Sequence, residues 1–403
     1  MAPHAVPDAY VALCLRLRRL VPAFVDAGAV DPAIRRRVAD EPPPTAAELV
    51  RQAGRLAAEL PDAGLEPGRG RFLAAQLRAV EWRSRRLAGQ HVTFRGELRE
   101  CLDIEVAPGE LDAYRSAHRE LAALLPGPGS VAGRLATHRC RDTVAPGRLA
   151  DAVDALTAAL RHRVAGRYGL PPGDAVEHRL VHNVPWRALH TYSAGHRSTV
   201  RINVGAGLPA GQLARLVAHE TYPGHHTECS RAETGPARHR VELGVTVLGT
   251  PHTVVSEGMA ESALDTAMGA DWGRWASQVL GGVGVPLDGE LAERLDPVLA
   301  TLRRARLDAA LLLHDVGPPT SSDVAGAEAH LRRWLLLDAM RARRLVATLA
   351  RPLWRAHVAA SVEGSALVRS FLRHGDPVGH HLRLLDDPPT PTALLARPMT
   401  TTH

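Results

Sequence analysis

The stretch TVRINVGAGLPAGQLARLVAHETYPGHH, Thr199 to His226, changes its period twice, and its reading decides the fold. Val200, Ile202 and Val204 alternate with Thr199, Arg201 and Asn203, which is the two-residue period of a half-buried strand. Gly205, Gly207 and Pro209 close that run, and Leu213, Leu216 and Val217 then supply the apolar face of a helix ending near Glu220. A short strand therefore feeds a helix whose last turn carries His219-Glu220, followed by Thr221-Tyr222-Pro223-Gly224-His225-His226.

Outward from this segment the chain reads as helix. Aromatic residues make up 4% of the 403 positions and Ala, Leu and Arg dominate, which excludes a large all-β protein. Leu73, Leu77, Val80 and Leu87 repeat with helical spacing, as do apolar residues of Ala150 to Val164, Val254 to Met268 and Leu291 to Leu313. Thr320 and Asp323 form a capping box that opens a further helix. Residues 1–175 are expected to form a helical lobe and 176–403 a metal-binding lobe continuous with it, ending in a Pro- and Thr-rich tail from Asp386 to Thr402.

A hydrophobic content of 45% is enough to bury a large core, and it excludes a disordered chain. The formal charge is +6, and all 49 basic residues are Arg. Their runs fit solvated helix faces, so no nucleic-acid partner is expected. Cys14, Cys101, Cys140 and Cys229 are widely spaced without a CxxC pair, which argues against a thiolate zinc site or a disulfide framework. Met1 to Asp8 lacks the pattern of a signal peptide and no apolar run is long enough to span a bilayer, so a cytoplasmic protein with no membrane partner is expected.

The histidine segment reads as an altered HExxH signature, in which two His hold one ion and the intervening Glu acts as base toward its water. Position i+4 is Pro223, which cannot ligate and removes a helix donor. If Pro223 and Gly224 act as a two-residue insertion, His225 becomes the second ligand beside His219. If the helix stayed regular, His226 would return to that face, and it is the alternative ligand. Thirty-odd residues on, SEGMAE at Ser256 to Glu261 offers Glu257 as third ligand. Glu261, one turn later, is expected to accept a hydrogen bond from the other ring nitrogen of His219. Two imidazoles and a carboxylate with an open fourth position point to Zn²⁺ rather than to Mg²⁺ or Ca²⁺.

At these residues the chain resembles the bacterial proteins grouped as domain of unknown function 885 (DUF885), which are similar to the glutamate-ligand (gluzincin) branch of zinc metallopeptidases. HETYPGHH at His219 to His226 matches their histidine motif, and SEGMAE resembles a Glu-Gly-Trp-Ala segment, with Met259 in place of Trp. RRARLDAALLLHDVG, Arg303 to Gly317, and PLWRAHVAASVEG, Pro352 to Gly364, resemble two further segments, the latter with His357 and Ala360 where Tyr is expected. The resemblance spans roughly residues 180 to 370. It implies a mainly α, zincin-like helical metallohydrolase with a small β element beside the metal-site helix, and it supports His225 as ligand.

The expected chemistry is zinc-dependent hydrolysis of a peptide or small amide, with Glu220 as general base. A second electrophile is sought among His314, Tyr192 and His357, His314 being preferred because it precedes a turn and matches the family's Leu-His. Asp308 is expected to pair with Arg304 one turn earlier. Arg197 and Arg201 are candidates for a substrate carboxylate, and the strand at Val200 to Val204 for pairing by a free edge with extended substrate. The alternatives are a zinc amidohydrolase of a non-peptide metabolite and an inactive metal- or ligand-binding protein on the same scaffold. Oligomeric state is not legible.

Overall fold

The structure, a computed structural model, describes residues 5–352 and 354–396. Most of them are helical. Met1 to His4 of the expected leaderless start, Leu353 of the fourth motif and 397–402 of the expected tail lie outside the described residues. Within that tail Pro391–Leu395 is a helix that buries Leu394, and the helix Pro377–Asp386 that leads into it buries Leu384 and Leu385.

The expected strand is Arg197–Asn203, and it is the middle strand of three. Ala175–Val181 pairs parallel to it, with His178 opposite Val200, and Ala188–Ser193 pairs antiparallel, with His190 opposite Val200. The expectation of a free edge on this strand is therefore corrected, because both of its ladders are occupied. Ala188–Ser193 is an edge. Ser198, Val200 and Ile202 point toward the helices and are buried, whereas Arg197, Thr199 and Arg201 lie on the other face. A two-residue antiparallel pairing of Val25–Asp26 with Thr246–Val247 ties the first helices to the middle of the chain.

Among the described residues four apolar clusters make up the core, and each takes residues from both sides of position 175. The largest joins helix Leu149–Tyr168 to the sheet, to Leu213 and Val217 and to Met259 and Leu264. A second gathers Ala5–Leu20, Ala46–Glu59 and Pro67–Leu87 around Val245 and Val247. Helix formation follows local chemistry: Thr45 with Glu48 and Thr320 with Asp323 form reciprocal capping boxes. Among the described residues no helix is long and apolar enough to cross a membrane.

Helix Pro251–Met268 packs along helix His357–Leu372. The two approach closely because both crossing points are glycines. A Cβ on Gly258 would meet Gly364 O at 2.2 Å, and one on Gly364 would meet Val254 O at 2.1 Å. This crossing fixes the position of Glu257, the residue before Gly258.

Candidate metal centre

Helix Ala210–Glu220 buries Leu213, Ala214, Val217 and Ala218, so its last turn delivers His219 and Glu220 beneath the sheet. Its regular course stops at Thr221, whose ψ of -98° is not helical, and a new helix, His225–Thr234, starts four residues on. The turn between them needs glycine for closeness: a Cβ on Gly224 would meet His219 O at 1.9 Å and Ala218 O at 2.5 Å. Pro223 and Gly224 thus break the helix and fold His225 back against His219. The two rings stand edge to face with centroids 4.7 Å apart.

Glu257 completes the cluster. Its Oε2 lies 3.8 Å from His219 Nε2 and its Oε1 3.8 Å from His225 Nε2. One donor atom from each of His219, His225 and Glu257 lies within 4.8 Å of the others. Ligands about 2.0–2.1 Å from a tetrahedral zinc stand roughly 3.3 Å apart, so the donor set and spacing fit a divalent ion with little adjustment. Glu220 is buried beside this cluster, 8% exposed. Burial raises its proton affinity, Glu257 and Glu261 raise it further, and His219 and His225 oppose them.

His226 faces away from the cluster. It is fully buried, with Nδ1 2.8 Å from Ser198 Oγ and Nε2 3.1 Å from Asp174 Oδ2, so both ring nitrogens are engaged by the protein. Asp174 also accepts from Tyr222 Oη at 2.6 Å and from Arg161 at 2.5 Å. Burial would raise the Asp174 pKa, but these donors outweigh it and hold the group at about 2. This carboxylate anchors the turn at Tyr222 and His226, on either side of Pro223 and Gly224. Its location, forty-odd residues upstream before an edge strand, gave no signal in the sequence.

Glu228 is another neighbour of the cluster that sequence reasoning missed. Its Oε2 lies 3.4 Å from His225 Nδ1 and accepts from Ser256 Oγ at 2.5 Å, while Oε1 lies 3.0 Å from His252 Nε2. Burial would raise its pKa, and the two histidines hold it well below the usual carboxylate range. Helical i,i+3 spacing from His225 is the signal that could have found it. His190, on the edge strand, is a third such residue. Its ring centroid is 5.9 Å from that of His225, and its Nε2 is 2.8 Å from Ser198 Oγ.

The remaining sequence candidates lie as follows. Glu261 sits one turn beyond Glu257, and its closest charged partner is Arg303 NH2 at 4.0 Å, in place of the expected bond to His219. Burial would raise its pKa; Arg303, His219, Arg306 and Arg369 lower it. Tyr192 is buried and donates to Glu233 at 2.5 Å. His314 Nε2 bonds Leu349 O at 2.9 Å and its ring packs on Phe94. His357 opens its helix with its ring edge-on to Trp354. Arg197 and Arg201 are on the sheet face opposite the metal histidines, and Arg201 donates to Thr191 Oγ1. Asp308 does not pair with Arg304: it accepts from Tyr114 Oη at 2.7 Å and Gly109 N at 2.8 Å, while Arg304 turns to Glu363 at 3.0 Å.

No family model and no curated protein matches the chain. Among solved structures it is similar to a "putative lipoprotein" from Colwellia psychrerythraea, at 16% identity and a TM-score of 0.51, over 87% of this chain and 68% of that one. A "putative lipoprotein of unknown function" from Shewanella oneidensis is 13% identical, with a TM-score of 0.46 over 90% of this chain and 74% of that one. The first likeness bears on the fold alone.

Proposed function

We propose that this chain is a zinc-dependent hydrolase of peptide or amide bonds, built on a zincin-like scaffold of the kind its DUF885-like motifs suggest. The observation that carries the reading is the convergence of His219, His225 and Glu257 on one position, with Glu220 buried beside it and left out of the ligand set. Zinc held there would supply a Lewis acid and lower the pKa of water toward about 7.

The chain's own residues have separable tasks. Glu220, with proton affinity raised by burial, accepts a proton from water and returns it to the leaving amine. Glu228 holds His225 with Nδ1 turned away and Nε2 turned toward Glu257. The edge strand Ala188–Ser193 offers backbone for an extended substrate. Arg187 O faces the inner strand, accepting from Asn203 N, and Tyr192 N faces outward to Asp26. By alternation, His190 N–H and C=O also face outward.

The test is metal analysis of the purified full chain, followed by assay on a peptide library with and without chelator. Near-stoichiometric zinc and chelator-sensitive cleavage are expected. Glu220→Gln should keep the zinc and lose turnover by two orders of magnitude or more, roughly the contribution of a positioned base. A chain that takes up no zinc, or a Glu220→Gln variant of undiminished activity, overturns the reading.

A further inference from the structure

The helix that carries Glu257 presents Glu261 and Asp265 one and two turns further on, and these two carboxylates meet very different surroundings. Asp265 pairs with Arg215 at 2.8 Å and lies 3.8 Å from Arg369, and Arg215 is shared with Asp296 at 2.8 Å. At that end Arg215 makes close pairs with two carboxylates, while Arg369 is held only loosely. Glu261 has Arg303 no closer than 4.0 Å, with Arg306 and Arg187 in the same field.

The guanidinium groups around Glu261 are under-used. Arg303 NH2 and Arg306 Nε are buried atoms without hydrogen-bond partners among the described residues. Arg187, exposed at the start of the edge strand, donates to Gln212 at 2.8 Å. Arg303 approaches Glu261, which lies one turn from Glu257 on the same helix, so the cluster borders the candidate metal position, and Arg306 acts electrostatically on Glu257 as well. Leaving charged donors buried and unbonded is unfavourable, and a planar guanidinium is shaped to bond a carboxylate through two oxygens.

We infer that Arg303 and Arg306, with Arg187 at the rim, form a carboxylate-binding subsite beside the metal centre, so that the substrate is an amide or peptide bearing a carboxylate near the bond to be cleaved. The inference rests on the hydrolase reading for its chemistry, though not for the subsite itself. The carboxylate has two sources, a free C-terminus or an acidic side chain. Arg197 and Arg201, the arginines the sequence suggested for this task, are on the wrong face of the sheet. Arg303 and Arg306 come from the segment around the junction of helices Gly289–Arg303 and Ala305–His314, where the chain turns at Arg304.

The experiment is calorimetric binding of three probes to the metal-free and the zinc-loaded full chain: N-acetyl-Ala-Ala with a free C-terminus, its C-terminal amide, and N-acetyl-Ala-Glu amide. At least one acidic probe should bind roughly ten-fold or more tighter than the neutral amide, the range of charge-assisted bonds. The one preferred identifies the source. Arg303→Gln combined with Arg306→Gln should bring the preference below about two-fold while zinc content is kept, and Arg306→Lys should retain part of it. Equal binding of acid and amide by the wild-type chain overturns the proposal without any variant. So does a preference that survives the double substitution. Acid preference in a chain that takes up no zinc would leave the subsite standing and remove the hydrolase reading; zinc uptake and cleavage with no acid preference would do the reverse.

Discussion

His225 Nδ1 stands 3.4 Å from Glu228 Oε2, one turn along the same helix, and this contact decides which ring nitrogen is left for the metal position. With Nδ1 so occupied, Nε2 faces Glu257 at 3.8 Å. Glu228 is held in turn by Ser256, the neighbour of Glu257, so His225 and Glu257 are oriented together. Glu228→Gln preserves shape while weakening the charge that fixes the tautomer. Zinc affinity, measured by competition with a chromophoric chelator, is expected to fall about 10–100-fold. Unchanged affinity would show that packing alone orients His225.

The adjacent histidines should fail in different ways. His225→Ala removes a ligand from a partly exposed site, so zinc should be lost while the melting transition stays near that of the wild type. His226→Ala takes one hydrogen-bond partner each from Asp174 and Ser198, which keep Tyr222 with Arg161 and His190 respectively, and opens a buried cavity, costing about 3 kcal/mol. Its folded fraction should still hold zinc. Parallel melting curves and metal analysis check both, and loss of zinc only in His226→Ala would reverse the assignment.

What the sequence made legible followed from local periodicity. The strand before the metal helix, the helix ending at Glu220, the break at Pro223 and the helix carrying Glu257 can each be read from a window of a dozen residues. The convergence of His219, His225 and Glu257 was reachable because ligand chemistry restricts which residue types can share an ion. Asp174 and Arg306 were not legible, since their roles depend on tertiary approach. The strand's edge was misjudged for the same reason: alternation reveals a half-buried strand but not which neighbours flank it. Glu261 was assigned by spacing alone, and its nearest partner, Arg303, comes from a helix some forty residues away.

Gly258→Ala tests whether the helix crossing places the third ligand. The added methyl would meet Gly364 O at 2.2 Å and Val368 Cγ2 at 2.5 Å, so the helices must separate. Overpacking of this kind costs about 1–3 kcal/mol, and for a chain of this size each kcal/mol lowers Tm by roughly 2 °C. Because Glu257 precedes Gly258, zinc affinity should fall along with Tm although all three ligands remain. A lower Tm with full affinity would mean that the cluster adjusts independently of the crossing.

His381 gives a pH dependence that can be isolated. It is fully buried, with Nε2 donating to Met259 O at 3.4 Å on the carboxylate helix and Nδ1 accepting from Tyr168 Oη at 3.1 Å. Burial pushes its pKa down to about 4, with the Met259 carbonyl opposing. In the unfolded chain it returns to an ordinary value near about 6.5, so the unfolded state takes up this proton first as the pH falls. The contribution to stability is therefore complete above about pH 6.5 and is lost progressively as the pH drops toward about 4. His381→Gln keeps a donor and an acceptor but cannot titrate. Urea unfolding at about pH 7, 6 and 5 should show stability falling less steeply for the variant, since every other titrating group is common to both proteins. Equal slopes would mean that His381 is not held neutral in the folded chain.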